Sequence, residues 1–347
     1  MSRESNVCRP HSEIINRISM LVAMPVTDFG NAGENISPDV EIPQSWVRIP
    51  NGGMRVHSIP LRLSGYLWQP FAEVALGIRF GDLVREQPHK RLVYRGCAPQ
   101  TANFLATLGF EQLCSGMEAI VALADATWER PTIRALARRG SRFGQAEEFS
   151  GNINDAAIKT AALFEHSRYA ERPKLRYLFR LTPDPTTRCF YFRDNSGEWL
   201  AAITLSVKNP RHIATELLLR HADAPVGVME ALVSATARIL ADEGFDYWNL
   251  GEVPFYGATA PTHRFASLYA MTGRCIKFAY NYSGLYAFKD KFRPHWRPVY
   301  LCARPRITLV LLADLMFTSG FMRLVGKVAA DLPRQLLSNF EIQKTGR

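Results

Sequence analysis

The sequence predicts an α/β fold of two similar domains set side by side, with a substrate cleft between them. Two observations carry this. Strand-like and helix-like stretches alternate in two successive blocks, residues 56–150 and 151–305. In addition, "FLATLG" (104–109) and "LYAMTG" (268–273) both read as helix ends followed by apolar strand patterns, "MEAIVAL" and "CIKFAYN", a faint echo of duplication. Paired domains offer a natural ligand cleft at their junction.

Ahead of the first block, residues 1–55 read as a helix and an irregular lead-in segment. "SEIINRISMLVAM" puts Ile14, Ile15, Ile18, Leu21 and Val22 on one helical face, and residues 27–55 are rich in Asn, Gly, Pro and Asp. In the first block "RLVYRG" is a strand and "PQTANFLATLGF" a helix closed near Gly109. "MEAIVALAD" is a strand, and "ERPTIRALARRGSRFG" a helix ending at Gly140 or Gly144. In the second block "DAAIKTAALFEHSRYA" is helical, and "RCFYFRD" and "EWLAAITLSVK" are strands joined by a hairpin turn at Asp194–Gly197. "ATELLLRHA" is a strand, and "VGVMEALVSATARILADEG" is a helix stopped by Gly244. "FDYWNLGEV" is a strand, "RFASLYAMTG" a helix and "RCIKFAYNY" a strand. In "GLYAFKDKFRPHWRPVY" (284–300), Leu285, Phe288 and Phe292 recur at helical spacing, Pro294 stops the helix, and "WRPVYLCA" resumes as a strand. Residues 306–347 form an apolar helix and tail. The stretch "ITLVLLADLMFTSGFM" (307–322) is shorter than the roughly 20 apolar residues of a membrane span and contains Asp314. It reads either as a core or docking helix, or as a helix lying on a membrane surface between Arg304, Arg306, Arg323 and Lys327.

The composition is that of a globular protein: 347 residues, 47% hydrophobic and 21% charged. A formal net charge of +10 favours anionic partners such as nucleic acid, anionic lipid or a phosphorylated substrate. The six cysteines, at 8, 97, 114, 189, 275 and 302, form no C-x-x-C and stand at no zinc-ligand spacing with His. They read as reduced thiols, and no metal is expected. The N-terminus does not read as a signal peptide, and the reduced thiols point to a cytoplasmic location, with a peripheral position on the inner face of the cell membrane left to the 307–322 helix. P-loop, dinucleotide-binding, nucleophile-elbow and H-E-x-x-H patterns do not occur, which argues against those four enzyme classes.

The stretch "ELLLRHADAPVGVMEALVSA" (216–235) has the strand–loop–helix layout of the acyltransferase fold called GNAT, whose loop N–H groups hold a pyrophosphate. Here the loop has only Gly227, and Pro225 removes a donor, so coenzyme A is not expected. On the helix at 129–144, Arg130, Arg134 and Arg138 recur at i, i+4, i+8 beside Arg139 and Arg142. That is a solvated face or a surface for phosphates of RNA or lipid. Gly251 permits a positive φ or a close approach, and Glu252 follows at a strand's C-terminal end, where α/β folds place chemistry. In 284–300, Lys289, Lys291, Arg293 and Arg297 interleave with five aromatics, leaving cations to address an anion while the rings pack.

Four stretches, the three later ones in the expected order, resemble the C-terminal catalytic domain of the phosphatidylglycerol lysyltransferases, the aminoacyl-phosphatidylglycerol synthases. They are "LGFEQLCSGMEAIVAL" (108–123), "LLLRHADAPVGVME" (217–230), "NLGEVPF" (249–255) and "YNYSGLYAFKDKFRPHWRPVYL" (280–301). The resemblance covers roughly residues 60–305. It implies two tandem GNAT-like domains that move an aminoacyl group from aminoacyl-tRNA to a lipid hydroxyl, with no coenzyme A. It also implies that Arg220, Lys289 and Lys291 contact phosphate or ester oxygens, that Glu230 stands at an acidic position, and that Asn249 and Gly251 form the turn. The expected catalytic set is therefore Arg220, Glu230, Glu252, Lys289 and Lys291. The expected substrate-binding set is Arg134, Arg138, Asn249, Gly251, Arg293 and Arg297. Leu217, Tyr286 and Val299 depart from the family's Asp, Arg and Arg. The partners implied are aminoacyl-tRNA and an anionic phospholipid. A soluble small-molecule acceptor, and a non-catalytic tRNA- or lipid-binding module, remain open at this point, as does membrane contact through 307–322.

Overall fold

The computed structural model describes residues 40–331 except Pro88 and 258–262, so the helix expected within 12–24 and the tail 332–347 lie outside the described residues. The strands are β1 (Val47–Ile49), β2 (Met54–Pro60), β3 (Leu67–Ala75), β4 (Leu92–Cys97), β5 (Glu111–Ala122) and β6 (Gly144–Glu148), followed by β7 (Thr187–Asp194), β8 (Trp199–Asn209), β9 (His212–Arg220), β10 (Tyr247–Pro254) and β11 (His295–Arg304). The helices are α1 (Phe80–Arg85), α2 (Pro99–Thr107), α3 (Pro131–Gly140), α4 (Ile153–Glu165), α5 (Val228–Asp242), α6 (Ala266–Cys275), α7 (Tyr282–Asp290), α8 (Leu309–Thr318) and α9 (Phe321–Asp331).

Local signals account for most boundaries. Pro99 and Pro131 open α2 and α3, where a missing N–H costs nothing. Asn152, Asn281 and Thr308 cap α4, α7 and α8, each side chain accepting a bond from a first-turn N–H. Period-two alternation then sorts the strand residues onto two covered faces. Phe190, Phe192, Ala201, Ile203 and Leu205 pack under α3 and α5. Cys189, Trp199, Ala202, Leu217 and Leu219 pack under α4.

The strands form one sheet in the order β1-β3-β4-β11-β5-β10-β9-β8-β7-β6, with β2 on the other edge of β3. The mixed α/β fold of two GNAT-like halves is as expected. The halves share this sheet through the antiparallel pairing of β5 with β10. The last strand crosses the division drawn at 150: β11 inserts between β4 and β5, both of which precede it. Strand β9 runs parallel to β10 over only three residues, His212–Ala214 against Tyr247–Asn249. Beyond them the two strands diverge.

Three expectations are corrected. "RCIKFAYNY" is not a strand. Its N–H groups are satisfied locally, Ile276 N bonding to Thr272 O, and Ala279 N and Tyr280 N to Ile276 O. Ile276 and Ala279, three apart, bury together as in a helical turn. The duplication echo fails with it, because the second copy leads into helix α7 rather than a strand. Residues 40–55 are not a loose lead-in either. Val40, Ile42 and Trp46 are buried, and the Trp46 ring sits edge-on to Phe80 and Tyr94 while its Nε1 donates to Gln69 O at 3.1 Å.

Stretch 307–322 is a helix only to Thr318. At Gly320 (φ +76°) the chain turns into α9, the two axes meeting at 70°. Asp314 is buried and accepts from Leu63 N, Ser64 N and Ser64 Oγ at 2.8–3.0 Å, which docks α8 on the β2–β3 turn. Among the described residues no single helix is long and apolar enough to cross a membrane. No cluster of His, Cys, Asp or Glu there could hold a metal ion.

Candidate functional site

The divergence of β9 from β10 opens a cavity of about 540 Å³ between the halves. One wall is Thr215–Leu219 of β9. Across from it stand Leu250–Glu252 of β10, Arg95 of β4 and Ser115 of β5, and most of the rest is closed by α6, α7, α8, α9 and the segment 169–181 that follows α4. The lining is mostly apolar, with Leu312, Met316 and Phe321 among its residues. One cluster of its polar groups surrounds Lys289 and Glu252.

Lys289 projects from α7 and is 3% exposed. Its Nζ donates to the Glu252 backbone carbonyl at 3.1 Å. Burial pulls the amine down from the ordinary 10.5 to about 7, against the opposing pull of the Glu252 and Glu118 carboxylates. Burial thus brings the Lys289 amine into the range where it gains and loses a proton near neutral pH. The Glu252 carboxylate is held by Arg95 Nη2 at 2.5 Å and by Ser115 Oγ at 3.1 Å. Tyr269 Oη donates to Ser115 O at 3.2 Å, and burial pushes its phenol well above the ordinary range.

A second layer shapes this centre. At Gly251 φ is +93°, and a Cβ there would sit 3.3 Å from Lys289 Nζ. Glycine thus permits both the bulge in β10 and the close approach of the amine. Asn249 Oδ1 accepts from Gly251 N at 2.7 Å and its Nδ2 donates to Glu118 at 2.5 Å. Glu118 in turn accepts from Arg297 Nε at 2.6 Å, and both Arg297 Nη atoms donate to Glu41 at 2.8 and 3.0 Å. Burial raises the Glu118 pKa despite Arg297, whereas at Glu41 the Arg297 guanidinium outweighs burial and holds the pKa low. A second buried pair, Lys208 and Glu216 at 3.3 Å, pins the segment at 44–46, Lys208 donating to the Gln44 and Trp46 carbonyls.

Of the residues singled out by sequence, Gly251, Glu252 and Lys289 meet in the cavity. Asn249 and Arg297 stand behind them as supports. Lys291 and Glu230 pair with each other at 2.8 Å, tying α7 to α5, and neither lines the cavity. Arg220 donates to the Ala224 carbonyl and stiffens the β9–α5 loop. Arg293 is exposed just past α7 with φ +48°, and Arg134 and Arg138 are exposed on α3, outside the cavity. Tyr286 stacks between Tyr256 at 3.9 Å and Trp296 at 4.6 Å, Val299 is buried, and Leu217 packs beside Trp199 and Leu219.

Sequence reasoning missed Arg95, Ser115, Tyr269 and the support carboxylates Glu118 and Glu41. A usable signal existed for two of them. Arg95 and Glu118 are lone charges inside apolar strands, "LVYRGC" and "MEAIV", and a charge buried there needs a partner.

The β9–α5 loop is covered by protein. Helix α3 crosses the N-terminus of α5 so closely that a Cβ at Gly227 would lie 2.3 Å from Leu136 O, and one at Gly140 would lie 2.2 Å from Gly227 O. Two glycines facing each other permit the contact.

A family described as "Phosphatidylglycerol lysyltransferase, C-terminal" matches residues 72–303. The chain belongs to that family. It is 31% identical over 144 residues to the phosphatidylglycerol lysyltransferase of Bacillus subtilis (strain 168), a match taking in 41% of this chain and 16% of that relative. Two solved structures show the same fold. The C-terminal domain of a putative lysylphosphatidylglycerol synthetase from Agrobacterium fabrum aligns with TM-score 0.61 and 21% identity over 89% of this chain and 98% of that one. The L-PGS of Bacillus licheniformis aligns with TM-score 0.58 and 18% identity over 80% and 87%.

Proposed function

We propose that this chain moves an aminoacyl group from aminoacyl-tRNA to the hydroxyl of a phosphatidylglycerol-like lipid, acting at the cytoplasmic surface of the membrane with Lys289 at the reaction centre. The observation that carries the reading is a buried amine, titrating near neutral pH, in a polar cluster of a mostly apolar cavity. In the reaction the lipid oxygen attacks the ester carbonyl, a C–O bond to the lipid forms, and the C–O bond to the tRNA ribose breaks. Neutral Lys289 takes the proton from the attacking hydroxyl and returns it to the departing ribose oxygen. Glu252, fixed by Arg95 and Ser115, keeps the Lys289 amine placed through its backbone carbonyl and keeps it from losing all basicity through its carboxylate. Apolar walls limit the hydrolysis of an activated ester that water would otherwise cause.

Three further observations support the parts of this reading. An ester donor needs no pyrophosphate loop, in keeping with the α3 helix packed over Gly227. A net charge of +10 suits both a tRNA and an anionic lipid. Membership of the lysyltransferase family supports lipid aminoacylation in general.

The test incubates purified protein with radiolabelled aminoacyl-tRNAs and phosphatidylglycerol vesicles and follows label into the organic phase. Lipid-extractable label is expected. Label reaching only a water-soluble acceptor, or no tRNA-dependent turnover with any aminoacyl-tRNA, overturns the proposal.

A further inference from the structure

Exposed large apolar side chains gather on one part of the molecule. Leu268 and Met271 on α6, Phe278 after it, Leu309, Val310 and Phe317 on α8 and Met322 on α9 are all more than a third exposed. These elements are contiguous. Phe265 and Tyr269 share a core cluster with Ile307, Leu311 and Leu315, which packs α6 on α8. Phe321 at the start of α9 lies 6.0 Å from both Phe255 and Tyr280, bringing the turn after α6 against α9. The buried Asp314 holds α8 down from behind, so its apolar outer side is presented by a fixed helix. The face is also the rim of the cavity, since Leu268 and Leu309 both line the cavity and reach the surface.

The elements that form this face carry an excess of cations. Residues 263–282 and 305–331 contain Arg264, Arg274, Lys277, Arg306, Arg323 and Lys327 against only Asp314 and Asp331. Asp314 is buried and Asp331 is paired with Lys327. An exposed apolar patch on elements with a cationic excess matches the interfacial zone of an anionic leaflet: apolar side chains enter the acyl boundary while the cations meet lipid phosphates. Helices α8 and α9 lie outside the stretch 72–303 that matches the family.

We infer that α6, the turn after it, α8 and α9 form a bilayer-docking face whose centre is the cavity mouth, so that an acceptor lipid passes sideways from the leaflet to Lys289. The inference rests on the proposed lipid acceptor for its purpose, but the docking is measured separately from the chemistry. In flotation the full chain binds vesicles of phosphatidylcholine mixed with phosphatidylglycerol more tightly than vesicles of phosphatidylcholine alone. Phe317→Asp removes an exposed ring and adds a repelled charge, and lowers vesicle partitioning about tenfold or more. It lowers transfer to vesicle lipid in parallel and leaves transfer to a short-chain, water-soluble phosphatidylglycerol unchanged. A Phe317→Trp variant reports the same face by fluorescence and keeps an aromatic there: acyl-brominated lipid quenches it. Unchanged partitioning of Phe317→Asp, absence of quenching, or a wild-type dimer that Phe317→Asp dissociates without any vesicle binding would each overturn the inference. Docking intact with no aminoacyl transfer to either lipid would overturn the proposed reaction and leave the docking face standing.

Discussion

Replacing Lys289 by Met separates the cost of the buried amine from its use. The side chains are similar in length, and the amine is 3% exposed, so solvent screening is slight. In the unfolded chain the amine keeps its proton up to about 10.5, and in the fold only up to about 7. Between those values the unfolded state binds the extra proton, so wild-type stability rises with pH by about 1.4 kcal/mol per pH unit. Below that window the burial costs the fold on the order of 5 kcal/mol relative to a group with no proton to lose. Met removes this penalty and also removes the bond to the Glu252 carbonyl, worth about 1 kcal/mol. Lys289→Met is therefore more stable than wild type at pH 7, by roughly 2–4 kcal/mol. From pH 8 to 9.5 that advantage shrinks by about 2 kcal/mol, because only the wild type gains. Urea unfolding of both proteins at matched pH values measures this. Parallel stability curves for the two proteins across the window would refute the reasoning, since the amine would then titrate as in solution.

Other outcomes follow from the same geometry. The pH profile of kcat/KM rises through about 7 as Lys289 loses its proton and then levels, read from initial rates at fixed aminoacyl-tRNA; a profile flat from pH 6 to pH 9 would remove Lys289 as the base. Gly251→Ala places a Cβ at φ +93° and 3.3 Å from Lys289 Nζ. It costs about 1–3 kcal/mol in urea unfolding and lowers kcat more than it raises KM; a neutral effect on both would mean the approach is not needed. Arg297→Met leaves Glu118 and Glu41 without their cation and costs about 3–5 kcal/mol, whereas Arg297→Met combined with Glu118→Gln recovers part of that loss; additive losses would contradict the pairing.

What the sequence made legible was local. The helix end at Gly109, the Asp194–Gly197 turn, Gly244 after α5 and the GNAT-like strand–loop–helix all depend on near neighbours. Lys289, Glu252 and Gly251 were readable because motif and strand-end position mark them. The failures were of two physical kinds. Short apolar runs do not distinguish strand from helical turn, and "RCIKFAYNY" went to the turn because its N–H groups found partners in the preceding helix. Cations in a basic stretch look equivalent until their partners are known. Lys291 spends its charge on Glu230 and Arg297 on Glu118 and Glu41, partners 61, 179 and 256 residues away. Only Lys289, one helical face round, points into the cavity. The insertion of β11 between β4 and β5 is likewise non-local, and no pattern within "WRPVYLCA" announces it.

The central claim is that a buried Lys289, titrating near neutral pH, serves transfer of an aminoacyl group to lipid. The most direct measurement is single-turnover transfer of label from aminoacyl-tRNA to phosphatidylglycerol vesicles by wild type and Lys289→Met, with tRNA and vesicle binding measured alongside. The account predicts lipid-extractable label from the wild type and a rate lower by about 10²–10⁴ in the variant at unchanged binding. Equal rates for the two proteins would contradict it.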